Sequence, residues 1–200
     1  KTQEDLINRL GNAVESRSKE SGSHIKRMSE FCYILAHELG LADFECEVLK
    51  QATPMHDVGK ISIPDSILLK PGRLTDEEML IMKQHSELGF DILAGSERPI
   101  LNAAAIIAQQ HHEKFDGSGY PAGLKGENIH IFARIVAVAD VFDALIHKRC
   151  YKEPWSIEDI LALFDKETNK HFDPDVIAAF NRRLPEILVL NEQLTKDDCL

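Results

Sequence analysis

Two short runs hold most of the chemistry in this sequence: HDVGK at 56–60 and HHEKFDGSGYP at 111–121. Each sets two metal-competent side chains next to each other, His56 with Asp57 and His111 with His112. Neighbours on an ordinary helix diverge by about 100°, so neither pair can chelate one ion from a helix face. Adjacent ligands suit a helix end, or a site where the second residue reaches a neighbouring ion. The pattern therefore points to a cluster of two or more metals, and to chemistry rather than folding.

A third region adds carboxylates. IVAVADVFDALI (135–146) is apolar nearly all the way round, the signature of a buried helix, yet it contains Asp140 and Asp143. A buried carboxylate is costly unless it is paired or metal-bound. Pairing with Arg134 would satisfy one of them. Asp140 as a ligand, with Asp143 supporting a ligand histidine, accounts for both. His24 follows Glu20 by four residues and shares its face on a continuous helix, although Gly22 between them marks a potential break. Alone, His85 reads as a capping or surface histidine. His37, His130, His147 and His171 read as ordinary.

Composition narrows the function classes. The chain has 200 residues, 44% of them hydrophobic, enough for one sizeable core with or without a leader helix. Its formal charge is −10 with no dense basic run, which disfavours binding to nucleic acid polymers. An anionic ligand would have to be drawn in by local positive charge, metal ions above all. Cys32, Cys46, Cys150 and Cys199 are widely spaced with no CxxC pattern and read as reduced thiols in a cytoplasmic setting. No apolar run approaches the roughly 18 residues of a membrane span, and no signal peptide is evident. The chain opens on Lys1 rather than Met and is read as part of something longer.

The positioning elements are expected to be helices throughout, with no strand pattern and no repeat. Leu6, Ile7, Leu10 and Val14 form an apolar stripe. It suits a helix packed on the core or a linker helix from an upstream domain that pairs in a dimer. Further helices are expected over 24–39, stopping at Gly40, and over 44–57. Another should open on the Thr75/Glu78 capping box and carry His85 on its later turns. Residues 100–112 follow, and the last two helices start at Ser156 and at Asp173–Pro174. Residues 58–73 should hold turns around one short helix. Residues 113–128, with five glycines and prolines and no hydrophobic period, read as a loop forming a wall of the site.

The order of His24, His56–Asp57 and Asp140 resembles the HD superfamily of metal-dependent phosphohydrolases. With His85, His111–His112 and Gly119–Tyr120–Pro121, the chain is similar to the HD-GYP subfamily of cyclic dinucleotide phosphodiesterases. Three ordered blocks carry the resemblance: HDVGKISIPDSILLKPGRLT (56–75), HHEKFDGSGYPAGLKGE (111–127) and ARIVAVADVFDALIHKRCYK (133–152). It extends over about residues 16–180. It implies an all-α helical bundle with a long Gly-rich loop beside a multinuclear metal site. Residues 1–15 would then be a linker helix from an upstream receiver or sensory domain, and 16–200 the phosphodiesterase domain.

The resemblance also implies a ligand set. His24, His56 and Asp140 would hold one ion and His85, His111 and His112 another, with Asp57 bridging. Glu20, one turn before His24, would serve a third. Two or three divalent ions are implied, iron or manganese first, with zinc, cobalt and nickel compatible with the donors. Such ions acidify a bridging water and neutralise phosphoryl oxygens during in-line displacement. Asp57 and Lys60 would carry catalysis. Lys60, Arg149 and Lys152 would contact substrate, and Tyr120 would buttress the pocket or a protein partner. Relatives usually read Arg-Pro-Tyr-Lys where this chain has Arg149–Cys150–Tyr151–Lys152, a change that keeps both cations. The implied activity is linearisation of cyclic di-GMP to pGpG, and on to GMP. The alternatives are a preference for 3′3′-cGAMP, a catalytically quiet receptor that signals through partners such as a second copy or a GGDEF-type protein, and a general HD nucleotidase.

Overall fold

The computed structural model describes residues 2–17, 22–147 and 154–197. They form ten α-helices: α1 (Thr2–Arg17), α2 (Gly22–Glu38), α3 (Asp43–Ala52), α4 (Asp65–Leu68), α5 (Asp76–Lys83), α6 (His85–Leu93), α7 (Pro99–Gln110), α8 (Ile131–Ile146), α9 (Ile157–Glu167) and α10 (Pro174–Asp197). The all-α expectation holds. Among the described residues only an isolated bridge, Thr168 to Phe172, departs from helix and loop. No helix among them is long and apolar enough to cross a membrane.

The centre of the bundle is α8, apolar on nearly every side as its sequence requires. It packs against α2, α7, α9 and α10, burying Ile135, Val136, Val138, Ala139 and Phe142. Phe142 meets Phe31 of α2 edge-on at 5.5 Å and Phe180 of α10 at 5.0 Å. Fully burying such a ring contributes about 1.5–3 kcal/mol. Of the α1 stripe, Ile7 and Val14 are buried in this core, whereas Leu10 is exposed to solvent.

Several helix boundaries differ from expectation, and the differences shape the site. The helix expected over 44–57 stops at Ala52, because Pro54 has no N–H to continue the helical hydrogen-bond ladder. Two 3₁₀ turns follow, Thr53–Met55 and Val58–Ser62. Residues 58–73 therefore contain a 3₁₀ turn as well as the short α4. The Thr75 capping box is present: Thr75 Oγ1 accepts from the Glu78 N–H at 3.3 Å, and the Glu78 carboxylate accepts from the Thr75 N–H at 2.8 Å. However, the helix it opens ends at Lys83, and His85 begins a new one. That second helix lies so close to the 58–62 turn that a Cβ at position 59 would fall 1.9 Å from the His85 carbonyl oxygen. Only glycine fits there.

Residues 113–125 form an irregular loop held from within. The buried Glu113 carboxylate accepts from the N–H groups of Ala122 and Leu124 at 2.8 and 2.9 Å.

Candidate metal centre

The break after Pro54 is what makes His56 and Asp57 usable together. His56 ends one 3₁₀ turn and Asp57 precedes the next at φ −105°, ψ 12°, so side chains that would diverge on a helix enter one site. The second pair also sits at a helix end: His111 closes α7, and His112 follows it. His85 opens α6, and His24 lies in the first turns of α2, facing Asp140 and Asp143 of α8.

Every ligand-type histidine whose Nδ1 contact is resolved is fixed through that nitrogen. His56 Nδ1 lies 3.0 Å from the Thr53 carbonyl, His85 Nδ1 2.7 Å from Met82, and His111 Nδ1 3.0 Å from Ile107. His24 Nδ1 lies 2.6 Å from the Asp143 carboxylate, which also accepts from Arg27 at 2.6 and 3.0 Å. An N–H donated at Nδ1 leaves Nε2 as the lone-pair nitrogen, the arrangement in which metal-ligating histidines are held.

The Nε2 atoms gather on Asp57. Its Oδ1 is 3.3 Å from His85 Nε2 and 3.7 Å from His111 Nε2, and its Oδ2 is 3.3 Å from His56 Nε2. The rings form a continuous set, with His24–His56, His56–His111 and His111–His112 centroids 5.9, 5.4 and 4.0 Å apart. Donor atoms fall into two groups, each within 4.8 Å: Asp57, His85, His111 and His112, and Glu15, His24 and His56. Asp140 stands further out, its Oδ1 3.9 Å from His24 Nε2.

Charge is distributed unevenly across the site. Burial opposes ionisation of Asp57, yet Lys60, 2.5 Å from its Oδ2, and His56 hold its carboxyl well below the usual carboxylate range. Burial also opposes charging His56, but the Asp57 carboxylate outweighs it and pushes the imidazole up to about 10. At His24 burial is likewise overcome, by Asp143. Burial dominates at His85, pushed down to about 4, and at His112, which lies well below the ordinary imidazole value. His85 and His112 thus favour the neutral imidazole that binds metal, while at His24 and His56 the neighbouring carboxylates attract positive charge, a proton or, in its place, a metal ion.

The other expected residues are distributed around this centre. Tyr120 stacks on His112, with centroids 4.8 Å apart, and Lys83 lies over its outer face at 5.0 Å. Arg134 pairs with Asp173 rather than with Asp140 or Asp143, because Asp143 is already taken by His24 and Arg27. Glu20, Arg149 and Lys152 lie outside the described residues. Sequence reasoning missed Glu15. The available signal was an acidic residue four and eight positions after Gly11 and Ile7, on the face of α1 that turns inward.

These donors suit divalent transition metals. The buried Nε2 atoms of His56, His85 and His111 and Oδ1 of Asp57 take no hydrogen bond, a costly arrangement for polar atoms unless something else satisfies them. Imidazole mixed with carboxylate is a donor set for such ions.

A helical bundle that turns backbone-anchored imidazoles onto one buried carboxylate defines a histidine–carboxylate metal-site protein. The chain belongs to the HD domain family, whose model matches residues 8–176, a family of phosphohydrolases that use divalent metals. It is 46% identical over 193 residues to a 3′3′-cGAMP-specific phosphodiesterase 2 of Vibrio cholerae, covering 96% of this chain and 37% of that protein. It is 46% identical over 178 residues to a cyclic di-GMP phosphodiesterase response regulator of Xanthomonas campestris, covering 89% and 47%. A cyclic di-GMP phosphodiesterase of Thermotoga maritima is 44% identical, covering 92% and 49%. The chain thus spans less than half the length of these relatives. In fold it matches a cyclic GMP-AMP-specific phosphodiesterase of V. cholerae with a TM-score of 0.66 at 22% identity, covering 92% of this chain and 50% of that one. An HDGYP protein of Bdellovibrio bacteriovorus matches with a TM-score of 0.63 at 21% identity, covering 91% and 62%. The HD-GYP resemblance drawn over about residues 16–180 is borne out.

Proposed function

We propose that this chain is a metal-dependent phosphodiesterase that opens a bacterial cyclic dinucleotide, cyclic di-GMP first and 3′3′-cGAMP as the alternative, in the bacterial cytoplasm. The observation that carries the reading is Asp57, whose two oxygens face His85 and His111 on one side and His56 on the other. A carboxylate so placed suits a bridge between two ions. The relatives at 44–46% identity act on these same two messengers by name.

In this reading His24, His56 and Asp140 hold one ion and His85, His111 and His112 the other, with iron or manganese favoured. When bound, the ions supply an acidified water and neutralise the phosphoryl oxygens. The chain's own residues do the rest. Asp143 and the backbone carbonyls hold the imidazoles of His24, His56, His85 and His111 in the ligating tautomer. Lys60, already against Asp57, is within reach of a phosphate oxygen beside that carboxylate. Tyr120 forms the pocket wall against His112. Arg149 and Lys152 supply the guanidinium fork and point charge for phosphate or a guanine edge. An upstream receiver or sensory domain, a second copy or a GGDEF-type protein would be the protein partners.

The test is incubation of anaerobically reconstituted protein with each cyclic dinucleotide, followed by chromatography of products. Linear pGpG or GMP from cyclic di-GMP supports the first reading, and selective loss of 3′3′-cGAMP supports the alternative. Tight binding of either without turnover would make the chain a receptor and overturn the enzymatic reading.

A further inference from the structure

Helix α1 reaches into the metal centre. We infer that Glu15, carried by α1, is a metal ligand that completes a site with His24 and His56; this rests on the multinuclear reading of the centre. The donor atoms of these three residues lie within 4.8 Å of one another, and Glu15 is 2% exposed. Both histidines use Nδ1 elsewhere, His24 on Asp143 and His56 on Thr53, which leaves Nε2 of each for an ion. Two imidazole nitrogens and one carboxylate form the three-donor set that holds iron and similar divalent metals.

The placement of Glu15 is fixed from both sides. Before it, Gly11 meets the 53–55 turn so closely that a Cβ there would be 2.6 Å from the Pro54 carbonyl oxygen. Ile7 and Val14 are buried in the core. After it, the Arg17 guanidinium donates to the carbonyls of Lys60, Ile61 and Ile63 at 2.9, 2.7 and 2.7 Å, and to Asp65 at 2.7 and 3.2 Å. Helix α1 is thus fastened to both turns that flank His56–Asp57, with the buried Glu15 carboxylate between the fastenings. The family resemblance assigns such a carboxylate to Glu20, a different residue beyond the end of α1. A ligand on α1 makes the metal content of the centre depend on where that helix sits, and so couples whatever moves α1 to the chemistry.

The experiment compares wild type, Glu15→Gln and Glu20→Gln after anaerobic reconstitution with Mn²⁺. Ions per chain are read by elemental analysis, and the affinity of the weakest ion by calorimetry. Glu15→Gln is expected to hold one ion fewer, or to hold its weakest ion at least tenfold less tightly, whether or not Glu20→Gln also loses metal. Circular dichroism in chelator monitors folding. Glu15→Asp serves if the Gln variant does not fold, and is expected to retain the ion with weakened affinity. Full wild-type stoichiometry and affinity in the Glu15 variants, or loss of the ion in Glu20→Gln alone, overturns the inference. A wild-type chain that holds fewer than two ions instead overturns the multinuclear reading, and the inference with it.

Discussion

Asp143 Oδ2 lies 2.6 Å from His24 Nδ1, and Oδ1 of the same carboxylate accepts from Arg27 at 2.6 Å. One buried aspartate therefore fixes the tautomer of a histidine and neutralises an arginine at once. Replacing it by asparagine keeps the shape and removes the charge. Asp143→Asn should lower metal affinity about ten- to a hundredfold, the usual loss when a ligand histidine is deprived of its support. It should also destabilise the fold by about 3–5 kcal/mol, because a buried charge pair is broken from one side. Metal titration and chemical denaturation check the two effects separately; an unchanged affinity would mean that Asp143 serves only the fold.

Asp57 is expected to matter to both ions. Asp57→Ala should abolish hydrolysis and lower metal content while the far-ultraviolet spectrum stays helical. Turnover above about a tenth of wild type would assign the bridge to another residue.

Purified protein should carry at least two transition-metal ions per chain, since its clustered donors exceed the three or four that one ion uses. Chelation should remove activity and leave the helices in place, because the core around α8 is made of apolar side chains and includes none of the proposed ligands. Elemental analysis and circular dichroism before and after chelation decide it.

Arg149 tests substrate contact independently of metal. Arg149→Ala should lower kcat/KM about ten- to a hundredfold, the scale of one lost charge-assisted hydrogen bond of about 1.5–3 kcal/mol. Metal content should not change. Loss of metal with normal substrate binding would make the residue structural.

Glu113 should be the fastener of the loop after His112. Glu113→Ala leaves the Ala122 and Leu124 N–H groups without their acceptor, at a cost of about 1–3 kcal/mol. Hydrogen exchange at those two amides should accelerate well beyond that of α8, and equal protection in the variant would show that the loop is held elsewhere.

The parts of the centre that could be read in sequence are those written as contiguous chemistry. His56–Asp57 and His111–His112 declared themselves because adjacent ligands require a helix end, and both pairs sit at one. The apolar surround of Asp143 announced a buried helix, and α8 is that helix. What stayed hidden depended on distant packing. Nothing local distinguishes Leu10, exposed, from Ile7 and Val14, buried on the same helix. The separation of α5 from α6 at Gln84 lies where Gly59 packs against His85, a contact that no helical period records. Arg134 turns to Asp173, far along the chain. Glu15 gave only a weak cue, because its partners come from α2 and from the turn after α3.

The imidazoles anchored to Thr53, Met82 and Ile107 have a consequence for metal supply. Their lone pairs are aimed by folding alone, so an arriving ion finds its seats already arranged and imposes little of its own geometry. Fixed seats select by geometry, but among ions that fit them intrinsic affinity ranks copper and zinc above iron and manganese. Keeping those competitors scarce becomes the cell's task rather than the protein's. Material purified in air over a nickel resin would report the metal of the bench, and its activity would reflect the history of the sample.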